Sequence, residues 1–226
     1  LALAGLKAYI AREQCSGQTL ITVASGANMN FHRLRHVSER CEISEGHEGI
    51  FAVTIPEEVG TFLGDIDILG SRHLTEFNYR YGDSRQAHIF VGIQAAGADD
   101  LQQIAAELNQ AQLPALDLTH DEMAKIHIRY MVGGRSNQVA NERLISFEFP
   151  ERPGALGRFL NHMQSDWNIT LFHYRNHGAD YGRVLVGVDV PPADHAAFAA
   201  FLDNLGYSHH EHTNNAAYKL FLSTAA

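Results

Sequence analysis

Two stretches that repeat one another decide the fold: FAVTIPEEVGTFLGDIDILGSRHLTEFNYRYGDSRQAHIFVGIQ at residues 51–94, and ISFEFPERPGALGRFLNHMQSDWNITLFHYRNHGADYGRVLVGVD at residues 145–189. Pro56 and Gly60 align with Pro150 and Gly154 at a shift of 94. Phe77, Tyr79, Arg80, Val91 and Gly92 align with Phe172, Tyr174, Arg175, Val186 and Gly187 at a shift of 95. One inserted residue accounts for the change. Ordered agreement of this kind marks an internal duplication.

Each copy predicts the same elements. An alternating strand (51–55; 146–149) meets a proline, a glycine and then a helix, which carries Phe62, Leu63, Ile66 and Leu69 in the first copy and Leu156, Phe159, Leu160 and Met163 in the second. Strands follow at 74–80 and 169–175, and again at 88–93 and 183–190. A second helix (99–110; 194–205) and a last strand (near 114–118; near 207–212) close each copy. The order is βαββαβ, the ferredoxin-like pattern. The predicted class is therefore α+β: two tandem ferredoxin-like units with antiparallel sheets and helices on one face.

Outward from the repeats, residues 1–13 have helical apolar spacing, 19–24 form a β-branched run ending in the turn Ser25-Gly26-Ala27-Asn28, and 30–40 space Phe31, Leu34 and Val37 as on an amphipathic helix. Thr119-His120-Asp121-Glu122 has the form of a capping box that starts a helix to about Arg129, followed by a flexible loop at 131–137. Residues 214–222 predict a further strand through Tyr218, Leu220 and Leu222. The chain divides into 1–42, a first unit 49–121, a linker 122–142, a second unit 143–214 and a tail 215–226.

The 226 residues are 45% hydrophobic and 19% charged, an ordinary globular balance, and the net charge of -9 argues against a nucleic-acid partner. No apolar run approaches the ~18 residues of a membrane span. No secretory signal pattern is present. The two cysteines, Cys15 and Cys41, belong to no CxxC pair, which suits a reducing, cytoplasmic setting. The fourteen histidines, including His209, His210 and His212, form no complete ligand set, so no metal is expected. No P-loop, G-x-G-x-x-G, G-x-S-x-G or H-E-x-x-H occurs, and no catalytic constellation is found.

Two patterns point to binding. The strand-Pro-x-x-x-Gly-helix junctions at 55–60 and 149–154 place Gly60 and Gly154 where a carboxylate can approach a helix N-terminus. The quartets Phe77-Asn78-Tyr79-Arg80 and Phe172-His173-Tyr174-Arg175 set aromatic residues on one strand face and polar ones on the other. A plain turn and ordinary core packing are the competing readings.

SGANMNFHRLRHVSERCE (25–42), VTIPEEVGTFL (53–63), FNYR, FHYR, DEMAKIHIRYMVGGR (121–135) and LGYSHHEHTNN (205–215) closely resemble the biosynthetic threonine deaminase (threonine ammonia-lyase) family, over essentially the whole chain. In that family a catalytic domain of pyridoxal-phosphate fold type II precedes two ACT-like units. The resemblance implies that residues 1–42 are a helix-strand-helix remnant of the catalytic domain with its connecting helix. It puts Ser25 at the pyridine nitrogen of pyridoxal phosphate in the full enzyme. The family's Schiff-base lysine and phosphate loop are absent, and Lys7, Lys125 and Lys219 stand in no such context. The chain is thus expected to bind no cofactor and to be inactive alone. The resemblance further implies feedback inhibition by isoleucine relieved by valine, effector contacts at Tyr79 and Tyr174 with Arg80 and Arg175 beside them, the missing catalytic domain as partner, and a tetramer. The alternative is an ACT-like oligomerisation module that binds no ligand in isolation.

Overall fold

The computed structural model describes residues 2–23, 30–56, 72–82, 85–152, 155–162, 167–176, 178 and 180–223. The chain separates into an N-terminal unit, residues 1–41, and a body, residues 42–226.

In the N-terminal unit, α1 (Ala2–Glu13) buries none of its residues. The strand predicted at 19–24 does not form over 19–23, where the backbone has no ladder partner among the described residues and Ile21 and Val23 are exposed. A β-branched run is a strand only when a neighbour takes its N–H and C=O groups. The turn at 25–28 lies outside the described residues. The helix predicted at 30–40 is present as α2 (Phe31–Ser44), with Phe31, Leu34 and Val37 exposed.

The body is one antiparallel sheet of eight strands. The first repeat supplies β1 (Glu48–Pro56), β2 (Leu74–Arg80), β3 (Gln86–Gln94) and β4 (Ala115–Asp117). The second supplies β5 (Glu142–Pro150), β6 (Asn168–Arg175), β7 (Tyr181–Asp189) and β8 (Ser208–Glu211). The order β4-β1-β3-β2-β6-β7-β5-β8 contains the ferredoxin-like arrangement twice, in mirror order. The separate sheets of the prediction are thus fused where β2 pairs with β6, Asn78 opposite His173 at the centre. The ladder extends at both ends: the Tyr81 N–H donates to the Thr170 carbonyl at 2.8 Å, and the Asn176 N–H to the Thr75 carbonyl at 2.7 Å. These two bonds are equivalent under the shift of 95.

One sheet face carries the main core. The helix predicted after β1 in the first repeat falls on residues outside the described ones. Its counterpart α5 (Ala155–His162) buries Ala155, Leu156, Phe159 and Leu160. The second helices are α3 (Ala98–Gln110) and, after α4 described below, α6 (His195–Leu205). α3 buries Leu101, Ile104 and Leu108 at three- and four-residue spacing, and Asp99 and Asp100 suit its positive N-terminal end. α6 ends at Gly206, whose left-handed φ of 73° only glycine adopts cheaply. A single core runs beneath both repeats, from Phe51, Val53 and Ile55 to Phe147, Phe149 and Phe198.

The other sheet face, expected to lack helices, is covered too. α4 (Glu122–Ile126), with the 3₁₀ turn Ile128–Tyr130, follows β4, and α7 (Ala216–Phe221) follows β8. Residues 216–221 are therefore helix and not the predicted strand. Asn215 caps α7 by accepting from the Ala217 and Tyr218 N–H groups, and Tyr218 and Leu222 turn inward against Leu144, Leu171 and Leu185. α4 is capped by Asp121, whose side chain accepts from the Ala124 N–H at 3.0 Å, and not by Thr119. Thr119 is used elsewhere, its hydroxyl oxygen accepting from the Ile50 N–H. Thr213 does the same for Leu144. Thr119 and Thr213, like Asp121 and Asn215, are 94 apart, so α4 and α7 are themselves copies of one element.

Candidate effector site on the paired central strands

β2 and β6 run antiparallel, so the aromatic triplets cross at the middle of the sheet. Tyr79 stands opposite Phe172, and Tyr174 opposite Phe77. All four side chains are buried on the core face, and Phe77 and Phe172 meet edge to face at 5.4 Å. Edge-to-face packing suits ring quadrupoles, and it locks the two repeats together where their central strands meet.

Tyr174 is fully buried and keeps its polar tip satisfied: its hydroxyl donates to Glu151 Oε2 at 2.9 Å. Glu151 is set by the turn after β5, its N–H donating to the Asp180 carbonyl at 2.8 Å, and the Ala155 N–H donates to the Arg152 carbonyl at 2.8 Å as α5 begins. Gly182 makes room below, because a Cβ there would stand 2.5 Å from Glu151 Oε2 and 2.7 Å from the Phe149 ring. Phe149 stacks on Tyr174 at 6.2 Å. Burial, and then the charge and hydrogen bond of Glu151, hold the Tyr174 phenol well above its ordinary range. The arrangement is a neutral hydrogen-bond donor, an aromatic wall and a carboxylate at the mouth of a helix.

Tyr79 is buried at the equivalent place on β2. The counterpart of Glu151 is Glu57, which lies outside the described residues, as do Gly60, Gly154 and Ser25.

The arginines fall on the opposite sheet face from the tyrosines. Arg80 and Glu142 form a buried pair: Nη1 contacts Oε1, and Nη2 donates to Oε2 at 3.1 Å. Nε donates to the Gly134 carbonyl at 3.0 Å, Nη1 to the Thr170 carbonyl at 3.4 Å and Nη2 to the Leu222 carbonyl at 3.1 Å. Arg175 stands opposite Glu76, with its guanidinium 5.7 Å from the Tyr130 ring centre. The sheet therefore brings Tyr79 and Tyr174 into one aromatic cluster and sets Arg80 and Arg175 apart from it.

Sequence reasoning missed the carboxylates of this face. Thr75 and Thr170 sit in equivalent β-bulges, between Leu74 and Glu76 and between Ile169 and Leu171. A bulge re-aims its side chain. Both threonines donate to a glutamate at the start of a strand, Thr75 to Glu48 Oε1 at 2.5 Å and Thr170 to Glu142 Oε1. Gly92 and Gly187 lie under these pairs; at Gly187 a Cβ would stand 2.7 Å from Glu142 Oε1 and 2.9 Å from Thr170 Oγ1. The signal was available in the alignment, since Glu48 and Glu142 are 94 apart and Thr75 and Thr170 are 95 apart.

The lysines do not fit a pyridoxal-phosphate Schiff base, which needs a sheltered amine. Lys7 is exposed on α1, Lys125 pairs with Glu122 at 2.7 Å, and Lys219 donates to Asn214. Among the described residues no group of three or more His, Cys, Asp or Glu side chains is placed to hold a metal ion. The histidine run serves the sheet edge, with His212 Nε2 2.8 Å from Ser146 Oγ. Neither Cys15 nor Cys41 is in a disulfide, and no described helix is long and apolar enough to cross a membrane.

L-threonine dehydratase biosynthetic IlvA of Burkholderia multivorans is 56% identical over 223 residues, covering 99% of this chain and 44% of the relative. That of Escherichia coli is 53% identical over 225 residues, covering 99% and 43%. The mitochondrial threonine dehydratase of Saccharomyces cerevisiae is 45% identical over 235 residues, covering 98% and 41%. The chain thus spans less than half the length of these curated relatives. The model of the C-terminal regulatory domain of threonine dehydratase matches twice, over residues 39–128 and 133–222, one match for each copy seen in the sheet. The chain belongs to the family of the C-terminal regulatory domain of threonine dehydratase.

Proposed function

We propose that this chain is the effector-sensing half of a pyridoxal-phosphate-dependent biosynthetic threonine dehydratase, binding isoleucine as inhibitor and valine as its antagonist. The observation that carries this reading is the buried Tyr174 hydroxyl on Glu151 at the head of α5, with Tyr79 at the equivalent place on β2. A branched amino acid needs an anion holder, an ammonium acceptor and an apolar slot. The N–H groups at the start of α5, next to Gly154, suit its carboxylate, as would those of the helix predicted to follow Gly60. Glu151 suits its ammonium, and Phe149 with the tyrosine rings suits its side chain. Burying such a side chain is worth roughly 1.5–3 kcal/mol.

Isoleucine and valine differ by one methylene, about 1–3 kcal/mol in a fitted pocket. That difference alone does not make one ligand oppose the other. Opposite effects require different affinities for two conformations. Two related but unequal repeats supply sites that can bias them differently. The catalytic half, a tetrameric assembly and a cytoplasmic setting complete the proposal, with Ser25 meeting the cofactor only when that half is present.

The test is calorimetric titration of the chain with isoleucine and then valine, repeated with Tyr79→Ala and Tyr174→Ala after circular dichroism shows each variant folded. Saturable binding that one or both substitutions abolish supports effector sensing. Identical binding of both ligands in the wild type and both variants removes the tyrosines from the site.

A further inference from the structure

The duplication is not symmetric on the face opposite the main core. In both repeats a bulge threonine donates to a strand-end glutamate above a glycine, and in the second repeat α7 brings a tyrosine hydroxyl to that glutamate. Glu142 also takes the Arg80 guanidinium from the first repeat, and its Oε2 accepts the Tyr218 hydroxyl at 2.6 Å. The residue equivalent to Tyr218 is Ala124, which has no hydroxyl. Arg80 and Glu142 side chains are only 5% and 6% exposed. Through Gly134 and Leu222, Arg80 further ties the chain between the repeats to the end of α7.

We propose that Arg80, Glu142 and Tyr218 form a joint that couples the strand of Tyr79 to the strand of Tyr174, with α7 as a strap held by the joint. Arg80 follows Tyr79 directly on β2, on the opposite face. Glu142 is bonded to Thr170, which lies on β6 four residues before Tyr174. A shift of β2 at Tyr79 carries the guanidinium with it. The guanidinium cannot follow β2 and keep both carboxylate oxygens unless Glu142, Thr170 and α7 move as well. Breaking a buried charge pair strands the partner, so the joint favours whole arrangements over partial ones. Coupling of this kind needs an element that both sites bias, and the joint touches both strands. Its link to effectors rests on the reading of the two tyrosines as effector contacts.

The experiment is hydrogen–deuterium exchange on the full chain, on Tyr218→Phe and on Glu142→Gln, with Lys219→Ala as a control on the same helix, each with and without isoleucine. Without ligand, Tyr218→Phe is expected to raise exchange at least tenfold in 216–222 and also at Tyr81 and Leu171, while Lys219→Ala leaves those two amides unchanged. A rise confined to 216–222 overturns the joint, even if Glu142→Gln fails to fold. With isoleucine, the wild type is expected to gain protection in both repeats and Tyr218→Phe in one. Protection of both repeats in Tyr218→Phe overturns the coupling role. If isoleucine protects neither repeat of the wild type, the effector reading falls, and the ligand-free comparison still decides whether the joint exists.

Discussion

Asn78 and His173 face each other as register partners at the middle of the β2–β6 ladder, and the two aromatic triplets run in opposite directions from that pair. The shift of 95 makes these two residues copies of one ancestral position, so a pseudo-twofold axis passes between them. Each tyrosine is therefore packed by a phenylalanine of the other repeat. A change at either tyrosine is felt across the repeat boundary without any intervening domain motion.

Tyr174→Phe removes a buried hydrogen bond to a charged acceptor and leaves the ring packing in place. The expected cost is about 1–2 kcal/mol, read from urea unfolding. The wild-type phenol also predicts an alkaline limb. Its folded pKa is raised, so its stabilising contribution is complete below the unfolded value of about 10 and is lost as pH rises beyond it. Tyr218 behaves likewise, through burial and its bond to Glu142. Phenolate absorbance is expected to leave at least these two of the eight tyrosines silent until the chain unfolds. A smooth titration of all eight in the folded protein would contradict the arrangement.

Gly187→Ala and Gly157→Ala should move stability in opposite directions. At Gly187 the new methyl falls 2.7 Å from Glu142 Oε1 and 2.9 Å from the Leu171 Cβ, so the carboxylate must leave its partners. A loss of about 1–3 kcal/mol follows from such overpacking. Gly157 lies inside α5, and a Cβ there meets nothing within 4 Å. Alanine at that position is expected to add about 0.5–1 kcal/mol by restricting the unfolded chain. Thermal unfolding of the two variants side by side checks both signs.

Arg143 and Glu211 tie β8 to β5, Arg143 Nε donating to Glu211 Oε1 at 3.0 Å. That hydrogen bond is the main cause holding the Glu211 carboxyl below its usual range. A lowered folded pKa contributes stability that is present above the unfolded value and is lost as pH falls. Glu211 is partly exposed, so solvent limits the effect to under about 1 kcal/mol. Glu211→Gln is expected to flatten the acid limb of the stability profile slightly and leave the neutral plateau within that amount.

The central architecture was legible because its signals are periodic and duplicated. Pro56 and Pro150, the two aromatic triplets, and the Leu101, Ile104 and Leu108 stripe are visible in any alignment of the chain with itself. Of the covering helices, α4 was legible from the polar residues at 119–122, but α7 was not, because it is short and its residues Tyr218, Leu220 and Leu222 also alternate as a strand would. What decides for helix is the Asn215 cap, whose likeness to Asp121 shows only once both are seen capping. The segment at 19–23 failed for the opposite reason: local β preference is present, but among the described residues no strand pairs with it. The polar joint escaped notice because glutamate, threonine and arginine on strands look solvent-facing until a second layer covers them.

Glu76 and Arg129 form a further buried ion pair in that layer, their side chains 2% and 4% exposed. Glu76 Oε2 takes the guanidinium, Nε at 3.1 Å, and Oε1 accepts from Asn78 Nδ2 at 2.8 Å. The second repeat has Leu171 and Ser223 at the equivalent positions, so the fold tolerates this site without the charges. Arg129→Met alone leaves an uncompensated buried carboxylate and is expected to cost about 3–5 kcal/mol. Glu76→Leu combined with Arg129→Met removes both charges and should recover all but about 1–2 kcal/mol, the remainder reflecting the lost acceptor of Asn78. Urea unfolding of the two single variants and the double variant tests this as a cycle. Simple additivity of the two losses would show that the ion pair carries no coupling and leave the apolar cluster of Ile50, Phe90 and Ala124 as the main hold of α4 on the sheet.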